Sequence, residues 1–228
     1  MGMMARKSHL VILRFLVLAL GACGPVYQAT RPTTGDLNKV RKLAVVIPSE
    51  ESFTVVYDRA KATATPVMLF DLLGAGVAAA YNQSLDNDKV KALAPHLTAF
   101  SCRLSFLESL QKTLTESRRF EEIKVFDKEV PPGEQKKYDA IVTLDIQSWG
   151  LRLTAASETD ELAGFIEMQT RMVQTQSNRT LWEEHDTLLG HARRAFAAYE
   201  HDGELLRSDL RETAESGGSR VANKLLYP

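Results

Sequence analysis

The sequence predicts an α+β fold: a mostly antiparallel sheet covered by helices on one face, preceded by a signal peptide and a flexible tether. Three observations predict it. Two short apolar runs of strand type open the domain, a block with helical period follows, and two long strand candidates joined by a polar turn lead into a last amphipathic helix.

Taken in order, residues 43–47 (LAVVI) form an apolar run that ends at Pro48 and predicts a buried strand. Residues 53–57 (FTVVY) predict a partner strand, and the polar Ser49-Glu50-Glu51-Ser52 between them predicts a hairpin. Residues 88–117 carry helical period, with Val90, Leu93, Leu97, Ser101, Leu104, Leu107 and Leu114 on one stripe and Pro95 starting a new helix. A strand is expected at residues 123–126 and a turn at Pro131-Pro132-Gly133. In the long candidate at 138–153, Val142, Leu144 and Ile146 alternate with Thr143, Asp145 and Gln147, which predicts one buried and one open face. Residues 165–176 and 181–189 predict a hairpin across Ser177-Asn178-Arg179-Thr180. Residues 204–226 predict a helix with Leu206, Leu210, Val221 and Leu225 on one face and Gly217-Gly218 as a weak point.

The N-terminus carries a different signal. Arg6 and Lys7 precede an apolar stretch, 10–20, broken only by Arg14. That is a signal-peptide length, short of the roughly 20 apolar residues that span a bilayer. Gly21 and Ala22 are small, and Cys23 follows. Leu20-Gly21-Ala22-Cys23 resembles the bacterial lipobox. The resemblance implies cleavage between Ala22 and Cys23 and a lipid on the Cys23 thiol. Two or more acyl chains hold a protein stably at a membrane, at about 0.8 kcal/mol per buried methylene. Gly24, where enterobacterial lipoproteins kept at the inner membrane carry an aspartate, points by the same resemblance to the outer membrane.

The expected organisation is therefore a signal peptide at 1–22, a lipidated N-terminus and tether at 23–40, and one periplasmic domain at 41–228. Pro25, Pro32, Gly35 and several threonines, with no apolar period, give the tether its character. Removing the signal leaves 25 basic side chains against 29 acidic ones, which offers no electrostatic footprint for nucleic acid. If Cys23 is acylated, Cys102 has no cysteine left to pair with and is expected to be a buried, inert thiol.

Residues 67–81 (VMLFDLLGAGVAAAY) hold a single charge, Asp71. Three arrangements remain open: a helix buried on the sheet, an exposed partner-binding helix, or a segment leaning into a membrane. Gly74, Gly76 and Ala79 mark a surface that another element could approach closely, so they are a candidate interface. Gly74 to Ala79 also fits G-x-G-x-x-A, the dinucleotide fingerprint, but no alternation of strands and helices follows to support a cofactor.

No other motif carries chemistry. His96, His185, His191 and His201 lack metal-ligand spacing, and Cys102 lacks a C-x-x-C partner. Glu121-Glu122 and Glu183-Glu184 are adjacent on strands and face opposite ways, so neither pair forms a dyad. Trp149 and Trp182 are expected in the core or at its rim. No catalytic, cofactor-binding or metal-binding residue is assigned.

The element order, the LAVVIP opening strand behind the lipobox, Tyr138-Asp139-Ala140-Ile141-Val142 and Arg179-Thr180-Leu181-Trp182-Glu183 together resemble small envelope lipoproteins related to curli-secretion lipoproteins and penicillin-binding-protein activators. The resemblance implies a non-enzymatic binding or assembly module of a transport, secretion or wall-building system, with an envelope partner or a second copy of itself. It transfers no functional residue. The alternatives are a multimeric outer-membrane channel or secretion component and a lipid-anchored hydrolase.

Overall fold

The computed structural model describes residues 33–48, 52–56, 87–154 and 161–227. Ala22, Cys23, Gly74, Gly76 and Ala79 lie outside the described residues, as does most of the tether. Helix α1 (Thr34–Leu37) is followed by strands β1 (Lys42–Val46) and β2 (Phe53–Val56). Helix α2 (Asn87–Leu93), a 3-10 turn (Ala94–Leu97) and helix α3 (Cys102–Glu116) come next. Then come β3 (Glu122–Phe126), α4 (Pro132–Gln135), β4 (Ala140–Leu153), β5 (Glu161–Gln174), β6 (Arg179–Leu189), β7 (Arg194–Ala195), α5 (Phe196–His201) and α6 (Gly203–Leu226).

The expected class holds: the domain is α+β with one mixed, open sheet. Its order is β3-β1-β4-β5-β6, with β2 beside β4 and β7 beside β5. The longest ladders, β4–β5 and β5–β6, are antiparallel. Strand β1 runs parallel to both β3 and β4, and β2 runs parallel to β4.

The first hairpin is a correction. β1 and β2 do not pair with each other. Leu43 stands opposite Ala140 and Phe53 opposite Trp149, so the two strands follow one another along a single edge of β4. Pro48, which cannot donate to a ladder, stands at the end of the first segment. The second hairpin is as expected, closed at Asn178, whose φ of 52° is a left-handed conformation that asparagine tolerates.

The helical block also differs in phase. Ser101 is extended, caps α3 by accepting from the Leu104 N–H, and restarts the helix. The buried face of α3 is therefore Cys102, Phe106, Leu110 and Leu114, while Leu104 is 52 % exposed. In α6, Leu206, Leu210, Val221 and Leu225 are buried as expected, and so are Gly217 and Gly218. These faces meet Val142, Leu144, Ile146, Ile166, Met168 and Met172 of the sheet in one core. Leu37 and Val40 are buried in the same core, so the folded unit takes in the last part of the stretch expected as tether. Among the described residues no helix is long and apolar enough to cross a membrane.

Candidate functional site

The core occupies one face of the sheet, and the other face carries the polar chemistry. On β4 the alternation places Thr143, Asp145 and Gln147 there, opposite the core residues. A register shift between Ile146 and Ser148 then changes the parity of the strand. Core residues sit at 142, 144 and 146 before it and at 149, 151 and 153 after it. The bulge leaves Gln147 and Ser148 both on the face turned away from α3 and α6. That parity switch is visible in the sequence, and it is the signal that alternation alone misses.

Two features share this face. Toward the end formed by β2 and β7 lies a buried polar network. Glu167 is 4 % exposed. It accepts from the Ser148 hydroxyl at 3.1 Å, and Arg152 Nη2 stands 3.5 Å from the same oxygen, Oε2. Its other oxygen is 3.7 Å from His185 Nε2, which is hydrogen-bonded to Gln147 Oε1 at 3.0 Å. The Arg152 guanidinium also covers the Phe165 ring at 4.5 Å. His185 is thus a mid-strand residue of this network. His191 is exposed beyond β6.

The chemistry of the network follows from its order. A hydroxyl nucleophile needs an imidazole beside it and a carboxylate behind the imidazole. Here the carboxylate stands between hydroxyl and imidazole, and 3.7 Å is too long for a hydrogen bond. The network binds β4, β5 and β6 to one another, with the carboxylate and not the imidazole beside the Ser148 hydroxyl.

The second feature is a groove of about 810 Å³ nearer the β5–β6 turn. Its floor is Ile141, Thr143 and Asp145 of β4, Gln169 and Arg171 of β5, and Glu183 of β6. One wall is the connection after β3, through Glu129, Val130 and Gln135; Val46, Pro48 and Asn178 complete the rim. The wall is held by a small second apolar cluster of Ala44, Val46, Val130 and Tyr138. The edge-on packing of Phe126 against Tyr138 at 5.9 Å belongs to it. Among the described residues, Asp145, Arg171 and Glu183 make no ion pair. The groove therefore combines a largely polar floor, with uncommitted charges of both signs and amide groups, and apolar side chains at its wall and rim, Val46, Pro48 and Val130.

The remaining candidates fall to structural roles. Glu183 and Glu184 face opposite ways as expected, and Lys224 of α6 donates to Glu184 at 2.9 Å and to Asp186 at 2.8 Å. Trp149 packs edge-on against Phe53 at 5.3 Å, and Trp182 is 1 % exposed in the core. Cys102 is buried. His96 is bound to the Glu200 carbonyl at 3.1 Å. Among the described residues no group of three or more His, Cys, Asp or Glu is placed to hold a metal ion.

Comparison with known proteins gives only distant likeness. No family model and no curated protein sequence matches the chain. Among solved structures, the PelC dodecamer from Paraburkholderia phytofirmans is similar at 13 % identity and a TM-score of 0.39, covering 87 % of this chain and 94 % of its own. Protein XCC0632 from Xanthomonas campestris is similar at 12 % identity and a TM-score of 0.43, over 86 % and 91 %. Lipoprotein GNA1162 from Neisseria meningitidis is similar at 12 % identity and a TM-score of 0.24, over 67 % and 83 %. Scores this low carry no argument about what this chain does.

Proposed function

We propose that this protein is a lipid-anchored cell-envelope module that works by binding, not by catalysis, as an assembly or accessory component of a transport, secretion or wall-building system. Cys23 holds it at the outer membrane, facing the periplasm. The binding surface is the groove on the face of the sheet turned away from α3 and α6. The observation that carries the reading is that groove: an open floor of Thr143, Asp145, Gln169, Arg171 and Glu183 on a sheet whose other face is fully occupied by its own helices. A concave surface with apolar sides and a polar floor carrying both signs of charge suits a peptide or protein segment, whose backbone and side chains bring donors and acceptors together. The hydroxyl–carboxylate–imidazole order at Ser148, Glu167 and His185 speaks against the hydrolase alternative.

Two experiments test it. Cys23→Ser abolishes acylation and moves the protein out of the membrane fraction; a serine variant that still pellets with membranes in high salt defeats the anchor. A photocrosslinker placed at Gln169 or Glu183 captures an envelope protein or a second copy of this chain, distinguished by mass. Equal capture from Arg211 on exposed helix α6 places the surface elsewhere.

A further inference from the structure

One end of the sheet gathers segments distant in sequence. The backbone N–H groups of Arg41 and Lys42 donate to Asp139 Oδ2 at 2.8 and 2.9 Å. The Glu121 N–H donates to the Arg41 carbonyl at 2.8 Å, and the Thr175 N–H donates to the Asp139 carbonyl at 3.0 Å. Arg119 reaches Asn38 Oδ1 at 3.3 Å, and Arg179 pairs with Asp36. Residues 36–42, 117–122, 136–140 and 174–179 therefore form one pole of the domain.

The chain toward Cys23 leaves from this same pole. Thr33, the first described residue, donates its hydroxyl to Asp36 Oδ2 at 2.8 Å. Gly24 to Pro32 is nine residues, a reach of about 30 Å at full extension.

The charges at this pole are unequally committed. Asp36 is taken by Arg179 and Thr33, and Asp139 by two backbone donors. Glu122 has Lys42 at 3.8 Å, and Glu134 has Lys124 at 3.1 Å. Lys39, Arg41, Arg118 and Lys136 are exposed and make no ion pair among the described residues. Among the described residues around this pole, Glu116 and Glu121 oppose them without an ion-pair partner of their own. Arg118 is set by a φ of 53° where the chain turns off the end of α3. The mature chain as a whole carries more acid than base, so this pole has the opposite sign to the molecule that bears it.

We propose that this pole faces the bilayer and binds anionic phospholipid headgroups through Lys39, Arg41, Arg118 and Lys136. The proposal builds on the Cys23 anchor proposed above. The four cations are spread over a rim and not gathered in a pocket, which suits a flat array of headgroups. Each cation near an anionic membrane surface multiplies residence there by about five, and the effect fades within a Debye length. The lipid supplies attachment; the pole supplies orientation. Asn178 stands at the groove rim beside Arg179 of this pole, so the groove is held near the membrane.

The test uses the full protein purified from membranes, placed on phosphatidylcholine vesicles with and without phosphatidylglycerol. Acylation by an amine reagent is followed residue by residue by mass spectrometry. Lys91, exposed on α2 at the far end, is the reference. Phosphatidylglycerol should slow modification of Lys39 and Lys136 about fivefold or more relative to Lys91, and high salt should reverse this. Lys39→Gln, Arg41→Gln, Arg118→Gln and Lys136→Gln combined should abolish binding by the pole while the melting temperature holds, and Arg41→Lys with Arg118→Lys should retain the Lys39 protection. Equal relative rates on both vesicles, with the protein floating on both, overturn the proposal and leave the anchor standing. The mass of the N-terminal peptide reads the anchor separately. If it carries no lipid, flotation with phosphatidylglycerol vesicles at low salt decides: binding that the combined variant loses supports the pole, and no binding overturns it.

Discussion

Gly218 on α6 lies so close to Phe106 on α3 that a Cβ placed there would stand 2.2 Å from the Phe106 carbonyl oxygen and 2.9 Å from the Leu110 nitrogen. The two helices meet backbone to side, and only a residue without a side chain fits between them. Gly218→Ala gains up to about 1 kcal/mol in helix propensity but meets backbone that cannot step aside, and overpacking of this kind costs about 1–3 kcal/mol. The expected result is a net loss of about 1–2 kcal/mol in a denaturant melt. Gly217→Ala meets side chains, the movable tip of Leu188 at 2.8 Å and the Phe106 ring at 3.2 Å, and should cost less than Gly218→Ala. A Gly218→Ala protein as stable as the parent would falsify the close-contact account.

Asp209 sits 6 % exposed on α6, where Arg194 Nε donates to its Oδ2 at 2.8 Å and the Tyr199 hydroxyl donates to the same oxygen at 3.1 Å. Burial, then the Asp209 charge, push the Tyr199 phenol well above its ordinary range, while the hydrogen bond to Asp209 raises Arg194. Tyr199→Phe should cost about 1 kcal/mol, since one donor is lost and Arg194 remains. Arg194→Ala should cost more, because it leaves a buried carboxylate with a single neutral donor. Chemical denaturation of the two variants checks the ranking, and the reverse order refutes it.

The Thr33 hydroxyl, and after it Arg179, hold the Asp36 carboxyl below its usual range. A depressed folded-state pKa makes a contribution to stability that is present above the ordinary carboxylate value and is lost as pH falls through the folded one. Arg179→Gln should raise the Asp36 pKa only part of the way, because the larger cause is still in place. A carbon-detected NMR titration of Asp36 measures it. A return to the full unperturbed value, or no movement at all, contradicts the assignment.

The groove and the polar network make separable predictions. Thr143→Trp should fill the groove floor and remove cellular function while the protein still accumulates in the membrane fraction. His185→Ala should leave that function intact, in contrast to the 10²–10⁴-fold loss expected for a catalytic base. Complementation of a deletion strain distinguishes them. Failure of His185→Ala to complement, at normal abundance and melting temperature, would revive the hydrolase reading.

Much of this was legible in local pattern. Residues 142, 144 and 146 and residues 206, 210, 221 and 225 were marked as core by their spacing, because periods of two and 3.6 follow from backbone geometry alone. The β5–β6 hairpin was readable for the same reason, with a polar turn setting its register. The stripe across 88–117 was not, since one extended residue, Ser101, resets the phase of a helix and shifts the buried face to Cys102, Phe106, Leu110 and Leu114.

What the sequence by itself determined is the class of fold and most of its core faces, all written in neighbouring residues. Only the tertiary structure decided which strands touch. It set β1 and β2 end to end along β4, because the pairing of parallel strands depends on the third strand between or beside them and on no local turn. It turned Gly217-Gly218 from a weak point into a helix contact, because the benefit of a missing side chain lies wholly in what approaches it. It assembled the groove and the basic pole as well. Asp145 with Glu183, and Lys39 with Arg118 and Lys136, are far apart along the chain, and no local rule relates charges that only the assembled sheet brings to one surface.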